Sequence, residues 1–171
     1  MDEALSNNKI MKLINKKANL MTYSELKKYD NLDEALGPHD ALVLLYETRE
    51  NFGHWVTIFR RGDLIEHFDS YGYFPDDELK FIPEYFRKVN GLDYPHLTAL
   101  MYESGYKPSY NEYVLQSDKR DVNTCGRWVV ARLILRHLPL DKFVKLFKNK
   151  DYSPDFLVTI FTELLGAKQN E

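Results

Sequence analysis

Apolar positions along the chain fall into a few dense stretches separated by polar, turn-forming ones. His39 to Glu47, HDALVLLYE, is an apolar run of strand length, and Gly53 to Arg60, GHWVTIFR, is rich in β-branched and aromatic residues. Both read as strands. Gly62-Asp63 then supplies a turn, and Leu64 to Ser70, LIEHFDS, reads as the returning strand of a hairpin. Tyr110 to Ser117 predicts a further strand. From Thr124 to Leu138 the chain is apolar on nearly all sides, broken mainly by Arg127, Arg132 and Arg136, a pattern that suits a helix buried inside a domain.

Helical signals flank this centre. Thr22 begins TYSELKKYD, with Glu25 three positions later completing a capping-box pattern. Asp76 to Val89 has apolar residues at roughly helical spacing, interrupted by Pro83. Asp141 to Lys148 and Pro154 to Leu165 read as two more helices, the second with Ser153 as N-cap and Pro154 in its first turn. Ala167 to Glu171 reads as a frayed tail. The expected fold is α+β: one domain over residues 1–171, with a central mixed sheet, a buried helix carrying Cys125 at its N-terminus and helices at both chain ends.

Composition narrows the function classes. Of 171 residues 44% are hydrophobic and 14% aromatic, enough for one sizeable core, and a net charge of −3 gives no global basic field of the kind nucleic-acid binders carry. Cys125 is the sole cysteine, so an intramolecular disulfide and a multi-cysteine zinc site are excluded, and a reducing compartment is expected. The first twenty residues lack the apolar core of a signal peptide, and no run reaches the roughly 18 apolar residues of a membrane span. The expectation is a soluble intracellular protein that makes no membrane contact. No metal-ligand spacing or phosphate-cradling glycine loop is present, and no cofactor is called for.

A lone cysteine is more often a small buried hydrophobe than a nucleophile. The setting of Cys125 changes that balance. Asn123 and Thr124 both suit a helix cap, a role favoured for Asn123 over orienting the site, so Cys125 falls in the first turn, where unpaired N–H groups and the helix dipole favour a thiolate. Gly126 leaves the backbone there open to a substrate.

The hairpin tests whether a histidine and a carboxylate can meet. With Gly62-Asp63 as a two-residue turn, Arg61 faces Leu64, Val56 faces Asp69 and His54 faces Tyr71. His54 and Asp69 then share a face as diagonal neighbours about 7–8 Å apart at the backbone. A three-residue loop would put them on opposite faces. His67 shares the face and competes as base. His54 is set apart by its context between Gly53 and Trp55, a ring that would shield the imidazole and wall the site.

Gly53-His54-Trp55 on one strand, Phe68-Asp69-Ser70 on the next, Gln116 further on and Asn123-Thr124-Cys125-Gly126 opening a helix resemble the adenain-like cysteine peptidases. That family comprises viral maturation proteases and related proteases of ubiquitin-like proteins. The resemblance covers about Gly53 to Leu138. It implies a cysteine peptidase in which Cys125 attacks the peptide carbonyl, His54 moves the proton, Asp69 orients the imidazole and Gln116 completes the oxyanion hole, with Trp55 and Gly126 at the substrate. Gln116 precedes Cys125 by nine positions (125 − 116), slightly longer than the family leads one to expect.

Two substrate classes follow from the resemblance. A minimal catalytic chain points to cleavage of viral capsid or core precursors in the virion or host cell, and the alternative is processing or deconjugation of a SUMO- or ubiquitin-like modifier. Loss of activity with retention as a binding module, and acyl transfer by the same Cys-His pair, are the competing functions. A peptide activator and DNA are further partners to consider. Lys9, Lys12, Lys16 and Lys17 with Lys142, Lys145, Lys148 and Lys150 would make a basic surface if the chain ends met, but a solvated helix face is the ordinary reading of such lysines.

Overall fold

A computed structural model describes residues 3–171. Five strands, β1 (Asn19–Thr22), β2 (Ala41–Arg49), β3 (Phe52–Arg61), β4 (Leu64–Phe68) and β5 (Lys107–Tyr110), form one sheet in that spatial order. The outer pairs β1/β2 and β4/β5 are parallel and the inner pairs antiparallel, so the sheet is mixed and the fold is α+β.

The hairpin turn has two residues. Arg61 pairs with Leu64, Ile58 with His67 and Thr57 with Phe68. Gly62, at φ +61° in the first turn position, takes the conformation that a primed turn demands there. The register is therefore the one that puts His54 and Asp69 on a common face. At the other end of β3, Gly53 is compelled by the sheet: a Cβ there would fall 1.9 Å from the Tyr46 carbonyl oxygen, beside a register shift between Glu47 and Arg49.

Among the described residues, seven α-helices surround the sheet: α1 (Asn7–Leu13), α2 (Leu32–Leu36), α3 (Glu84–Val89), α4 (His96–Glu103), α5 (Cys125–Ile134), α6 (Leu140–Leu146) and α7 (Pro154–Gln169). Alternation along β2 and β3 divides the core. Leu42, Leu44, Val56 and Ile58 face a layer containing Leu26, Leu36 and Leu97, while Val43 and Phe59 face α1 and α5. A third cluster joins α5, α6 and α7 through Trp128, Phe143, Phe147 and Val158.

Helix α5 is the central one. Gly126 to Leu133 are all buried, two arginines included. Arg127 donates to the Thr162 hydroxyl at 2.7 Å and pairs with Glu163, and Arg132 grips Glu66 of β4 at 2.7 and 2.9 Å with both side chains fully buried. The Arg132 guanidinium also lies 5.1 and 5.0 Å from the ring centroids of Phe59 and Phe143. A helix that reads as uniformly apolar thus carries its two buried cations on dedicated acceptors.

Several sequence expectations need correction. The strand expected over Tyr110 to Ser117 lies earlier, at Lys107–Tyr110, and the residues after Asn111 form a loop. Asn111 ends the strand because its side-chain amide donates to the carbonyls of Asp69 and Tyr113. The Thr22 segment is a 3-10 helix, Tyr23–Lys28, with the Thr22 N–H bound to Glu25 at 3.1 Å. Pro83 splits Asp76–Val89 into a 3-10 helix, Asp77–Phe81, and α3. The expected frayed tail is helical to Gln169, whose amide donates to the carbonyls of Lys12 and Leu13 and so ties α7 to α1. Among the described residues no helix is long and apolar enough to cross a membrane.

Candidate active site

The start of β3, the residues just after β4 and the start of α5 converge. His54 Nε2 donates to Asp69 Oδ1 at 2.8 Å, with Asp69 fully buried. The same Oδ1 accepts the Tyr71 N–H at 2.8 Å, and the Tyr71 ring stacks on the imidazole with centroids 4.6 Å apart and planes 22° from parallel. Tyr71, not Trp55, therefore shields His54. Neighbouring residues on a strand point to opposite faces, so Trp55 packs toward α1 and α5.

With Nε2 committed to Asp69, Nδ1 is the nitrogen left for Cys125, and the electrostatics couple the two residues. Burial opposes an imidazolium, yet the charge and hydrogen bond of Asp69 and those of Cys125 outweigh it, and the His54 pKa lies well above its ordinary value. Burial would likewise raise the Asp69 pKa, but the charge and hydrogen bond of His54 hold it below the usual carboxylate value. His67, the competing histidine, is fully buried opposite Ile58 with neither ring nitrogen hydrogen-bonded. Desolvation lowers its pKa to about 4, so it is a neutral core residue.

Cys125 is half-exposed at the first position of α5 and lines a cleft of about 540 Å³. Trp55 and Gly126 line the same cleft, together with Asn123, Gly53, Phe52 and the N-terminal residues Ala4 to Asn7. A Cβ on Gly126 would meet Leu5 and Ile10 at 3.3 and 3.2 Å, so this glycine also admits the N-terminal segment against α5. Of the two candidate caps, Thr124 is the N-cap of α5, and its hydroxyl does not cap its own helix but donates to Asp155 at 2.6 Å.

Gln116 is buried in the loop before α5. Its Oε1 accepts from the Ser70 hydroxyl at 2.7 Å and its amide donates to the Val122 carbonyl at 3.3 Å, which leaves one amide N–H uncommitted. Both bonds run to neighbours of the site: Ser70 follows Asp69, and Val122 lies three positions before Cys125.

Glu78, which no sequence motif singles out, completes the cluster. Its Oε1 is 3.6 Å from His54 Nε2. One donor atom each from His54, Asp69 and Glu78 falls within 4.8 Å of the others. With its Nε2 proton given to Asp69, His54 has no lone pair on that nitrogen to offer a cation.

No known family profile matches the chain. Protein V9 of Sputnik virophage, described as uncharacterized, is 42% identical over 164 residues, covering 93% of this chain and 94% of V9. The chain belongs to the V9 family. Among solved structures, the V9-family chain is similar to the ASFV pS273R protease, with a TM-score of 0.47 and 15% identity over 95% of this chain and 68% of that one. It is also similar to ChlaDub1 of Chlamydia trachomatis, with a TM-score of 0.47 and 17% identity over 98% and 80% of the two chains. The central domain of the uncharacterized Lpg1148 protein of Legionella pneumophila gives 0.44 and 12% over 96% and 99%. Likenesses this distant carry no residue roles to the V9-family chain, whose site is argued from its own geometry.

Proposed function

We propose that the chain is a cysteine endopeptidase with Cys125 as nucleophile, His54 as base and Asp69 as the group that orients the histidine. The observation that carries this reading is the buried 2.8 Å His54–Asp69 bond on an imidazole that also interacts with Cys125. A carboxylate on Nε2 fixes the tautomer and stabilises the imidazolium, so Nδ1 can take the thiol proton and return it.

The thiolate sulfur adds to the peptide carbonyl and the oxygen gains negative charge. The backbone N–H of Cys125 and the free amide N–H of Gln116 are the proposed donors to that oxygen, each contributing on the order of 2.7–4 kcal/mol. His54 then protonates the leaving amine, and water, deprotonated by the same nitrogen, releases the acyl group from sulfur. Trp55 and Gly126 form walls of the substrate cleft.

The substrate class proposed is a viral capsid or core precursor, a choice favoured by membership in a family that includes a virophage protein. The test offers the purified protein a viral structural precursor and, separately, a ubiquitin-like fusion ending in Gly-Gly. Cleavage of the precursor is expected, and cleavage of the fusion alone would refute the maturation reading. Cys125→Ala should abolish turnover with an unchanged unfolding midpoint. An undiminished rate would show that the nucleophile is another residue.

A further inference from the structure

Glu78 sits in the short 3-10 helix Asp77–Phe81 with its side chain turned inward, 7% exposed. Beyond its approach to His54, an oxygen of its carboxyl lies within 4.8 Å of an oxygen of Asp69. Asp69 spends Oδ1 on both of its N–H donors, and Oδ2 is buried with no N–H or hydroxyl partner. Glu78 Oε1 is buried and equally without one. Two buried carboxylates this close strongly disfavour both being ionised unless cations compensate both, and the single imidazole compensates one. A proton held between the two acids satisfies the orphaned oxygens and the charge together.

We propose that Glu78 is a positioning residue of the site: its carboxyl is protonated at neutral pH and donates to Asp69 Oδ2, leaving Oδ1 aimed at His54. The catalytic consequence rests on the peptidase reading, whereas the location of the proton does not. With Oδ2 anchored, the Asp69 carboxylate cannot rotate, and His54 is held with Nδ1 toward Cys125.

The surroundings set the direction of the effect. His54 comes from β3, Asp69 and Tyr71 from the segment after β4, and Asp77 from the same 3-10 helix. From β2, Tyr46 commits its hydroxyl to Asp76, and from α3 Arg87 donates to the Leu79 carbonyl. Lys80 points away, over the rings of Tyr73 and Phe81. Burial, followed by the like charge of Asp69 against the opposing pull of His54, pushes the Glu78 pKa up to about 8. Above that pH the donor is lost and a second negative charge confronts Asp69.

The experiment compares wild type, Glu78→Ala and Glu78→Gln. A glutamine amide donates to Oδ2 at any pH. Glu78→Ala leaves Oδ2 buried without a donor and should lower kcat about tenfold with little change in KM. Glu78→Gln should restore most of that loss and remove the alkaline fall in kcat/KM near pH 8. An alkaline limb that Glu78→Gln does not move would assign it to His54 and overturn the proposal. Infrared spectroscopy gives a readout independent of turnover. A carboxylic-acid C=O band should be present at pH 7 in wild type and in Cys125→Ala, fade toward pH 9, and be missing from Glu78→Gln. Its absence from wild type refutes the protonated Glu78 whether or not any peptide is cleaved, while its presence in a protein that cleaves nothing upholds the proton and refutes the peptidase.

Discussion

Replacing Arg132 by Met removes the cationic half of the buried pair that joins α5 to β4. Glu66 then stays at 0% exposure with both carboxylate oxygens deprived of the guanidinium bonds at 2.7 and 2.9 Å. Breaking a buried pair from one side costs about 3–5 kcal/mol, because the remaining charge is neither solvated nor compensated. For a chain of this length each kcal/mol lowers Tm by roughly 2–4 °C, which gives a fall of roughly 6–20 °C. Arg132 also donates to the carbonyls of Leu135 and Leu138, at 3.1 and 2.9 Å, and so secures the chain where α5 ends. The double variant Glu66→Leu/Arg132→Met removes both charges but still loses those two bonds. It should therefore recover most of the single-variant loss and stop roughly 1–3 kcal/mol short of wild type. Urea unfolding of the wild type, both single variants and the double variant gives the coupling energy directly. Single-variant losses that simply add in the double variant would refute the account, since additivity means that neither residue depends on the other.

Two further predictions concern pH and the placement of α5. His67 has a folded pKa of about 4 against about 6.5 in the unfolded chain, so between those values the unfolded state binds the extra proton. Its contribution is present above pH 6.5 and is lost as pH falls toward 4, amounting to roughly 3 kcal/mol. The difference in unfolding free energy between wild type and His67→Leu should change by about that amount over the window, and a constant difference would exclude His67 as the cause. Asp155 accepts from the Thr124 hydroxyl at 2.6 Å, the Trp128 indole N–H at 3.1 Å and the Ser117 N–H at 2.8 Å. Asp155→Ala should cost about 2–4 kcal/mol of stability and lower the rate of Cys125 alkylation, and an unchanged alkylation rate would show that α5 is placed without it.

What could be read from the sequence follows the range of the forces involved. The β3–β4 hairpin is a local structure whose register a two-residue turn determines, so the meeting of His54 and Asp69 followed from counting along the strands. The buried character of α5 was legible from its local pattern too, since apart from Arg127 and Arg132 every position between Gly126 and Leu133 is apolar. Long-range partners left no such mark. Nothing in the sequence of Glu78, a glutamate in a charged and weakly helical stretch, distinguishes it from the half-buried Asp77 beside it, which accepts the Phe74 N–H; only the fold of the Tyr71–Asp76 loop turns Glu78 inward. Asp155 similarly looks like an ordinary acidic residue in the first turn of a helix. Trp55, next to His54 in sequence, lines the Cys125 cleft, but strand alternation sends the two rings to opposite faces of β3, and the ring stacked on the imidazole is that of Tyr71.

The arrangement at the start of α5 determines how Cys125 is oriented. Thr124 precedes Cys125 as N-cap but gives its hydroxyl to Asp155, so the first turn of α5 is fixed by the first turn of α7 rather than by its own side chains. Helix α7 is in turn tied to α1 by Gln169, and α1 follows the N-terminal residues that border the Cys125 cleft. Both ends of the chain are thereby coupled to the position of one sulfur atom, while β3 and β4 hold the imidazole and carboxylate independently through the hairpin. Removing a tether at α7 should therefore disturb the relation between Cys125 and His54 before it disturbs the His54–Asp69 bond. In an NMR titration of Asp155→Ala, the Nε2 proton resonance of His54 should keep its hydrogen-bonded position while the pH dependence of Cys125 alkylation changes. Simultaneous loss of both signals would mean that the hairpin and α5 form one inseparable unit.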